Sequence, residues 1–300
     1  MTETSPAPGP LRIIVGIATI GRPEVLNETL EELRRQTRQP DRIVVSHHTD
    51  RDVEDIQTQG RPIVCVKSPA GLTIQRNAIL RMAQGFDVVA FFDDDFFPCP
   101  NYIEVIEQAF CLNPDYQVVT GCVLADGAKG LGIAPSVARD LVARDQGVPK
   151  PLKGKDTYNG YGCNMSVRLF NVFKHQILFD ENLPLYGWLE DVDFCRRLVP
   201  FGRIVKIDGA RGVHLGVKAG RTKGARLGYS QIANPMYMFR RGTLSWRLTM
   251  QTMVKHLAIN SVRSIYPESH VDRMGRLRGN VTALSDLMWG RCHPKRMLEL

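Results

Sequence analysis

Apolar residues recur in the first half of the chain as short runs separated by amphipathic stretches. Leu11 to Ala18 (LRIIVGIA) is almost wholly apolar, the pattern of a strand buried on both faces. Thr19 to Arg22 reads as a turn. Pro23 suits the first position of a helix, and Val25, Leu26, Leu30 and Leu33 fall on one helical stripe. Similar signals follow: strands at Arg42 to Ser46, Pro62 to Val66 and Asp87 to Phe92, and a helix at Thr73 to Gln84 with Ile74, Ala78 and Met82 in register. Past Pro98 and Pro100 the pattern predicts a helix over Tyr102 to Phe110 and a strand over Gln117 to Leu124. Ala125 to Lys155, rich in Gly, Pro and Lys, predicts an irregular insertion or mobile loop. Regular signals resume at Tyr161 to Arg168 and Arg203 to Ile207. Leu244 to Val262 predicts an amphipathic helix with Trp246, Met250, Met253 and Leu257 on one face.

Strands alternating with helices predict an α/β fold, a Rossmann-like, mostly parallel central sheet flanked by helices. Ligands of such sheets sit beyond the carboxyl ends of the strands. Three polar clusters fall at such ends: Thr19 to Arg22, Ser46 to Asp50 and Asp93 to Asp95.

Charge divides the chain. Residues 221–300 hold 14 Lys and Arg against 4 Asp and Glu, net +10, so the first 220 carry −2 of the overall +8. A basic, mainly helical region at 216–300 on a near-neutral body (11–215) fits an anionic partner for the tail: a lipid surface, a diphosphate or nucleic acid. It also fits an ordinary solvated basic face. No recognisable motif supports nucleic acid, and none is expected as a partner. The first ten residues read as a flexible tail. No apolar run reaches the length of a spanning helix, no secretory signal is evident, and the seven cysteines lack zinc-type spacing. A cytoplasmic protein with reduced thiols is expected, peripheral on the inner face of the membrane if the basic region binds lipid.

Three motifs carry candidate chemistry. In FFDDDFF (91–97) three adjacent carboxylates end an apolar strand. Side chains alternate along a strand, so Asp93 and Asp95 should face the ligand together and Asp94 the opposite way, into a structural contact. Two carboxylates on one side can hold a hard divalent cation that also bridges diphosphate oxygens. In WLEDVDFCRRL (188–198), Glu190, Asp191 and Asp193 open a helix. They either cap its dipole or, half-buried among Leu189, Val192 and Phe194, include a carboxylate able to take a proton from an attacking hydroxyl. In GLTIQRNAI (71–79), Arg76 and Asn77 lie early on a helix, where Arg76 can reach a phosphate or pair with the acidic triplet.

Taken in order, these elements resemble the inverting family 2 glycosyltransferases with a GT-A fold. The set comprises Thr19 and Arg22 after the first strand, Thr49-Asp50 after the second, Gly71 with Arg76-Asn77, Asp93–Asp95, GCNMSVR at Gly162 to Arg168, and FDENLPLYGWLEDVDFCRRL at Phe179 to Leu198. The resemblance spans about 11–215, with a nucleotide-binding half (11–100) and an acceptor-binding half (101–215). It implies a nucleotide-sugar donor held by Thr19, Arg22, Asp50, Arg76 and Asp93. It implies Mn2+ or Mg2+ on Asp93 and Asp95, with His214 as a further ligand or a structural histidine. Asp191 would be the base and Glu190 would orient it or the acceptor. A saccharide or lipid-linked saccharide acceptor would meet Asn164 and Trp188, the latter equally readable as core. Polysaccharide or glycolipid synthesis follows as the expected setting. The family commonly has Asp where this chain has Ser46, which leaves the nucleotide base open. Arg221, Lys223 and Arg226 are candidates to close over a diphosphate. A sugar nucleotidyltransferase is the main rival, weakened by the absence of a Gly/Arg/Lys-rich loop after the first strand. A non-catalytic module on the same fold is a second.

Overall fold

A computed structural model describes residues 9–56, 62–145, 151–218, 223–266, 268 and 271–300. Most of the predicted flexible tail lies outside them.

The chain runs β1 (Ile13–Thr19), α1 (Pro23–Arg34), β2 (Arg42–His47), β3 (Ile63–Lys67), α2 (Leu72–Met82), β4 (Val88–Asp93), β5 (Phe96–Pro98), α3 (Tyr102–Leu112) and β6 (Tyr116–Asp126). It continues through α4 (Pro135–Asp145), β7 (Lys155–Asp156), β8 (Asn164–Arg168), α5 (Leu169–Lys174), α6 (Glu190–Leu198) and β9 (Arg203–His214). It ends in α7 (Gly224–Arg240), α8 (Trp246–Ile265) and α9 (Arg273–Met288). The sheet order is β3-β2-β1-β4-β8-β6-β9-β5, with β7 beside β9. Strands β3, β2, β1 and β4 are parallel, β8 runs against both its neighbours, and β6 and β9 are again parallel.

The apolar runs form these strands because both sheet faces are covered. Along β1, Ile13, Val15 and Ile17 face one core with α1 and α3, while Ile14 faces a second core with α2, α5 and α6. Gly16 lies on the second side, where an added Cβ would come within 2.4 Å of Ile79, so its lack of a side chain lets α2 approach. The register brings Ala18 beside Asp93 and Thr19 beside His47, so the three polar clusters meet at one edge.

The stretch expected to be an irregular insertion holds a helix instead. In α4, Ala138 and Val142 are one helical turn apart and pack on Phe97, Val213 and Leu215. Helices α7, α8 and α9 build a separate core around Tyr229, Ile232, Met253 and Ala283. Two glycines let α7 and α9 touch backbone to backbone: a Cβ on Gly228 or Gly279 would stand 2.0 Å from a carbonyl oxygen of the other helix. The predicted stripe on α8 is partly corrected. Its buried positions are Thr249, Met253 and Asn260, and Trp246 lies half outside at 52% exposed.

Candidate active site

The acidic turn between β4 and β5 sorts its carboxylates. Asp94 is fully buried, accepts a hydrogen bond from Thr19 Oγ1 at 2.7 Å and pairs with Arg22 Nη2 at 2.6 Å. Burial pushes its carboxyl up to about 7 against the pull of Arg22. Thr19 and Arg22, expected beside the donor, both meet Asp94 in this structure. Thr19 is buried and spends its hydroxyl on Asp94, while Arg22 is committed to Asp94 and, at 3.5 Å, to Asp95. A buried carboxylate needs such partners, and these are within reach.

Asp93 and Asp95 share their side of the turn with His214. Strand pairing places Phe96 beside His214. His214 Nε2 is 3.3 Å from Asp95 Oδ1 and 3.7 Å from Asp93 Oδ2, and one potential ligand atom from each residue lies within 4.8 Å of the others. On the far side of the ring, Nδ1 meets Asp126 Oδ1 at 2.9 Å. Val217 N–H donates to Asp95 Oδ2 at 2.8 Å. That turn passes through Gly216, whose φ of +68° and backbone contact with Gly127 suit glycine. Burial would lower the His214 pKa, but hydrogen bonds with Asp126 and Asp95 outweigh it and push it up to about 10. Burial would raise Asp126, yet His214 and the Ala128 N–H hold it at about 2. Two carboxylates with an imidazole, itself backed by a third carboxylate, fit Mn2+ well and Mg2+ through the oxygens.

The start of α6 connects to this trio through Arg76. Glu190 is buried and pairs with Arg76 Nη1 at 2.5 Å. Arg76, 2% exposed, also donates to the Gly162 carbonyl at 2.7 Å and lies 3.4 Å from Asp93. It therefore ties Glu190 to the acidic turn. Burial dominates at Glu190 and lifts its carboxyl to about 8 despite Arg76. Asp191 accepts from Gly162 N at 3.1 Å and Val192 N at 2.8 Å. Among the three acids it alone keeps part of its surface open, and burial still raises its pKa. Asp193 is buried between Arg197 and Thr243.

Removing the Arg76 cation should be severe for the fold. Arg76→Ala is expected to lower stability by about 3–5 kcal/mol, because it takes the shared donor from the buried Glu190 carboxyl and the Gly162 carbonyl and breaks the pair with Asp93. Urea unfolding would show this as a lower midpoint. Glu190→Leu in the Arg76→Ala background should recover part of the loss, since it replaces the stranded polar group with apolar volume.

The remaining predicted residues divide. Asp50 is on the surface, paired with Lys67 at 3.0 Å. Asp52, not anticipated, is buried and accepts from Gly21 N, His48 N and Thr49 N at 2.8, 3.0 and 2.7 Å, fastening the turn after β1 to that after β2. Asn164 is fully buried with Oδ1 taken by Thr120 at 2.8 Å, so its side chain has no surface to offer an acceptor. Its strand lies between β4 and β6, which covers the inward position. Trp188 is half-buried, its ring edge-on to His256 with centroids 4.9 Å apart. Arg221 lies outside the described residues. Lys223 is exposed at the start of α7, and Arg226 donates to the Leu300 carbonyl at 2.9 Å. Asp126 also went unread, since only the pairing of β6 with β9 sets it beside His214. Tyr161 donates to the same carboxylate at 3.2 Å.

Solved structures share this architecture. The structure of GalNAc-T7 with UDP, GalNAc and Mn2+ superposes with a TM-score of 0.54 at 13% identity, over 68% of this chain and 43% of that one. S. aureus TarS gives 0.52 at 14% identity, over 85% of this chain and 44% of that one. TarS 1-349 in complex with UDP-GlcNAc gives 0.51 at 14%, over 76% and 67%. The chain thus spans less than half the length of the first two. At such identities the likeness shows a common fold, that of the GT-A glycosyltransferases. No curated protein matches the chain in sequence. The sequence model described as Glycosyl transferase family 2 matches residues 14–173, which is 160 of 300. On that match, and with this fold around it, the chain belongs to glycosyl transferase family 2.

Proposed function

We propose that the chain is an inverting, metal-dependent glycosyltransferase that moves a sugar from a nucleotide-diphospho-sugar to an acceptor hydroxyl. The observation that carries this reading is one linked set of side chains: Asp93, Asp95 and His214 gathered at the acidic turn, and partly exposed Asp191 beside Glu190, joined through Arg76. The two structural neighbours solved with UDP and Mn2+ and with UDP-GlcNAc support the donor class.

Asp93, Asp95 and His214 would hold Mn2+ or Mg2+, and Asp126 would fix the His214 ring so that Nε2 faces the carboxylates. Bound there, the cation would offset charge on the departing nucleoside diphosphate. Asp191 would take the proton of the acceptor hydroxyl as its oxygen bonds to the anomeric carbon and the bond to the diphosphate oxygen breaks. A single displacement inverts the anomeric centre. A pKa raised by burial suits a carboxylate to this role. Glu190 and Arg76 would position Asp191 relative to the donor side. The exposed Asp50 and the turns tied together by Asp52 would border the nucleotide. Trp188 and Tyr161 would border the acceptor, a saccharide or lipid-linked saccharide used for polysaccharide or glycolipid synthesis at the inner membrane face.

A sugar nucleotidyltransferase is disfavoured because the turn after β1 offers Arg22 as its basic residue, and Asp94 and Asp95 occupy it. A thermal-shift screen of nucleoside diphosphates with and without Mn2+ tests the reading. Stabilisation by one base, only with Mn2+, is expected. Metal-independent stabilisation by all bases would count against it.

Cation binding should also release a proton. His214 is protonated at pH 7.5 in the metal-free chain, because its pKa is near 10. Ligation requires the neutral ring, so Mn2+ affinity should rise up to about tenfold per pH unit while the pH stays below that value. Calorimetry in buffers of different ionisation heat should find close to one proton released per Mn2+ bound.

A further inference from the structure

Helix α8 turns a second face outward, one that is exposed among the described residues. It packs inward through Thr249, Met253 and Asn260. On the opposite side Val254, Ala258, Val262 and Ile265 follow helical spacing, and Val254, Val262 and Ile265 are 56%, 64% and 71% exposed. Arg247 lies in line with this stripe and Lys255 beside it, Arg263 turns toward Glu268, and α8 contains no Asp or Glu. Glu268, just past the helix, approaches Arg263 only at 3.8 Å and is held more closely by Arg273 at 2.8 Å. An ordinary solvated helix mixes charge signs, as α1 does with Glu24, Glu28, Glu31 and Arg34. An apolar stripe with cations of one sign instead matches a lipid interface, and the +10 of residues 221–300 extends the complementarity. No described helix is long and apolar enough to cross a membrane.

We propose that the outer face of α8 rests on a bilayer surface rich in anionic lipid. Val254, Val262 and Ile265 enter the boundary of the acyl region, and Arg247 and Lys255 meet the lipid phosphates. The inner face of the same helix presents His256 to Trp188, two residues before Glu190. The lipid surface would thus lie about one helix diameter, roughly 10 Å, from the loop leading to the proposed base. That proximity bears on a lipid-linked acceptor only through the function proposed above; the binding surface itself does not depend on it.

Vesicle flotation of the full chain tests the surface. The chain should float with phosphatidylcholine vesicles containing about a third phosphatidylglycerol and not with phosphatidylcholine alone. Binding should weaken as salt rises from about 0.1 to about 0.5 M. The double variant V262D/I265D should partition at least roughly tenfold less, with melting temperature and donor hydrolysis unchanged. Failure of the wild-type chain to float with anionic vesicles overturns the proposal, as does undiminished binding by V262D/I265D. So does a solution dimer, seen by light scattering, that V262D/I265D dissociates, since the face would then belong to a second copy. A chain that floats as expected but hydrolyses no nucleotide-sugar would leave this surface standing and remove the transferase reading instead.

Discussion

Asp191→Asn should abolish transfer, lowering kcat by roughly 10^2–10^4-fold, the range over which a positioned general base contributes. The substitution preserves volume and removes the proton-accepting charge. One amide oxygen remains to accept from either Gly162 N or Val192 N, so the start of α6 should stay folded with a modest loss of stability. Nucleoside-diphosphate affinity in Mn2+ should hold within about twofold, because Asp191 is not one of the three residues gathered for the metal. Initial-rate kinetics beside calorimetry separate the two quantities. Activity near wild type would move the base elsewhere. Equal loss of donor binding would make Asp191 a donor-side residue.

The second large effect is expected at the metal trio. His214→Ala removes one of three ligand groups and leaves the Asp126 carboxylate without its ring partner. Mn2+ affinity should fall by about 10^2-fold or more, and nucleoside-diphosphate binding should fall with it. Asp126→Asn should give a smaller loss of roughly 10–100-fold, the scale for residues that orient a ligating imidazole. Electron paramagnetic resonance of free Mn2+ measures both without any need for an acceptor. Unchanged affinity in His214→Ala would reduce the histidine to a structural part of β9.

These effects trace back unequally to the sequence. The separation of Asp94 from Asp93 and Asp95 follows the expected order, although Asp94 and Asp95 form a turn between β4 and β5 where strand alternation no longer applies. What held Asp94 was not legible: nothing in the sequence marked Thr19 and Arg22 as its partners. His214 was legible only through family resemblance, since its nearness to Asp95 depends on β5 pairing with β9 across more than a hundred residues. Asp126 depends on β6 pairing with β9 in the same way and carried no local signal. Helix α4 was missed because only Ala138 and Val142 of its residues are buried, in a stretch dense with turn formers. On α8 hydrophobic periodicity chose the wrong edge of the stripe. The core there is partly polar: Asn260 donates to Gln231 and Asn280, each at 2.8 Å, and a count of apolar residues passes over it.

The catalytic account meets its most direct test in the anomeric form of the sugar released when water replaces the acceptor. Proton NMR at early times, before mutarotation, should show one α-linked nucleotide-sugar hydrolysed in Mn2+ with the β-anomer appearing first, and no release in EDTA. Release of the α-anomer first, or an equal rate in EDTA, would contradict a metal-assisted single displacement at this site.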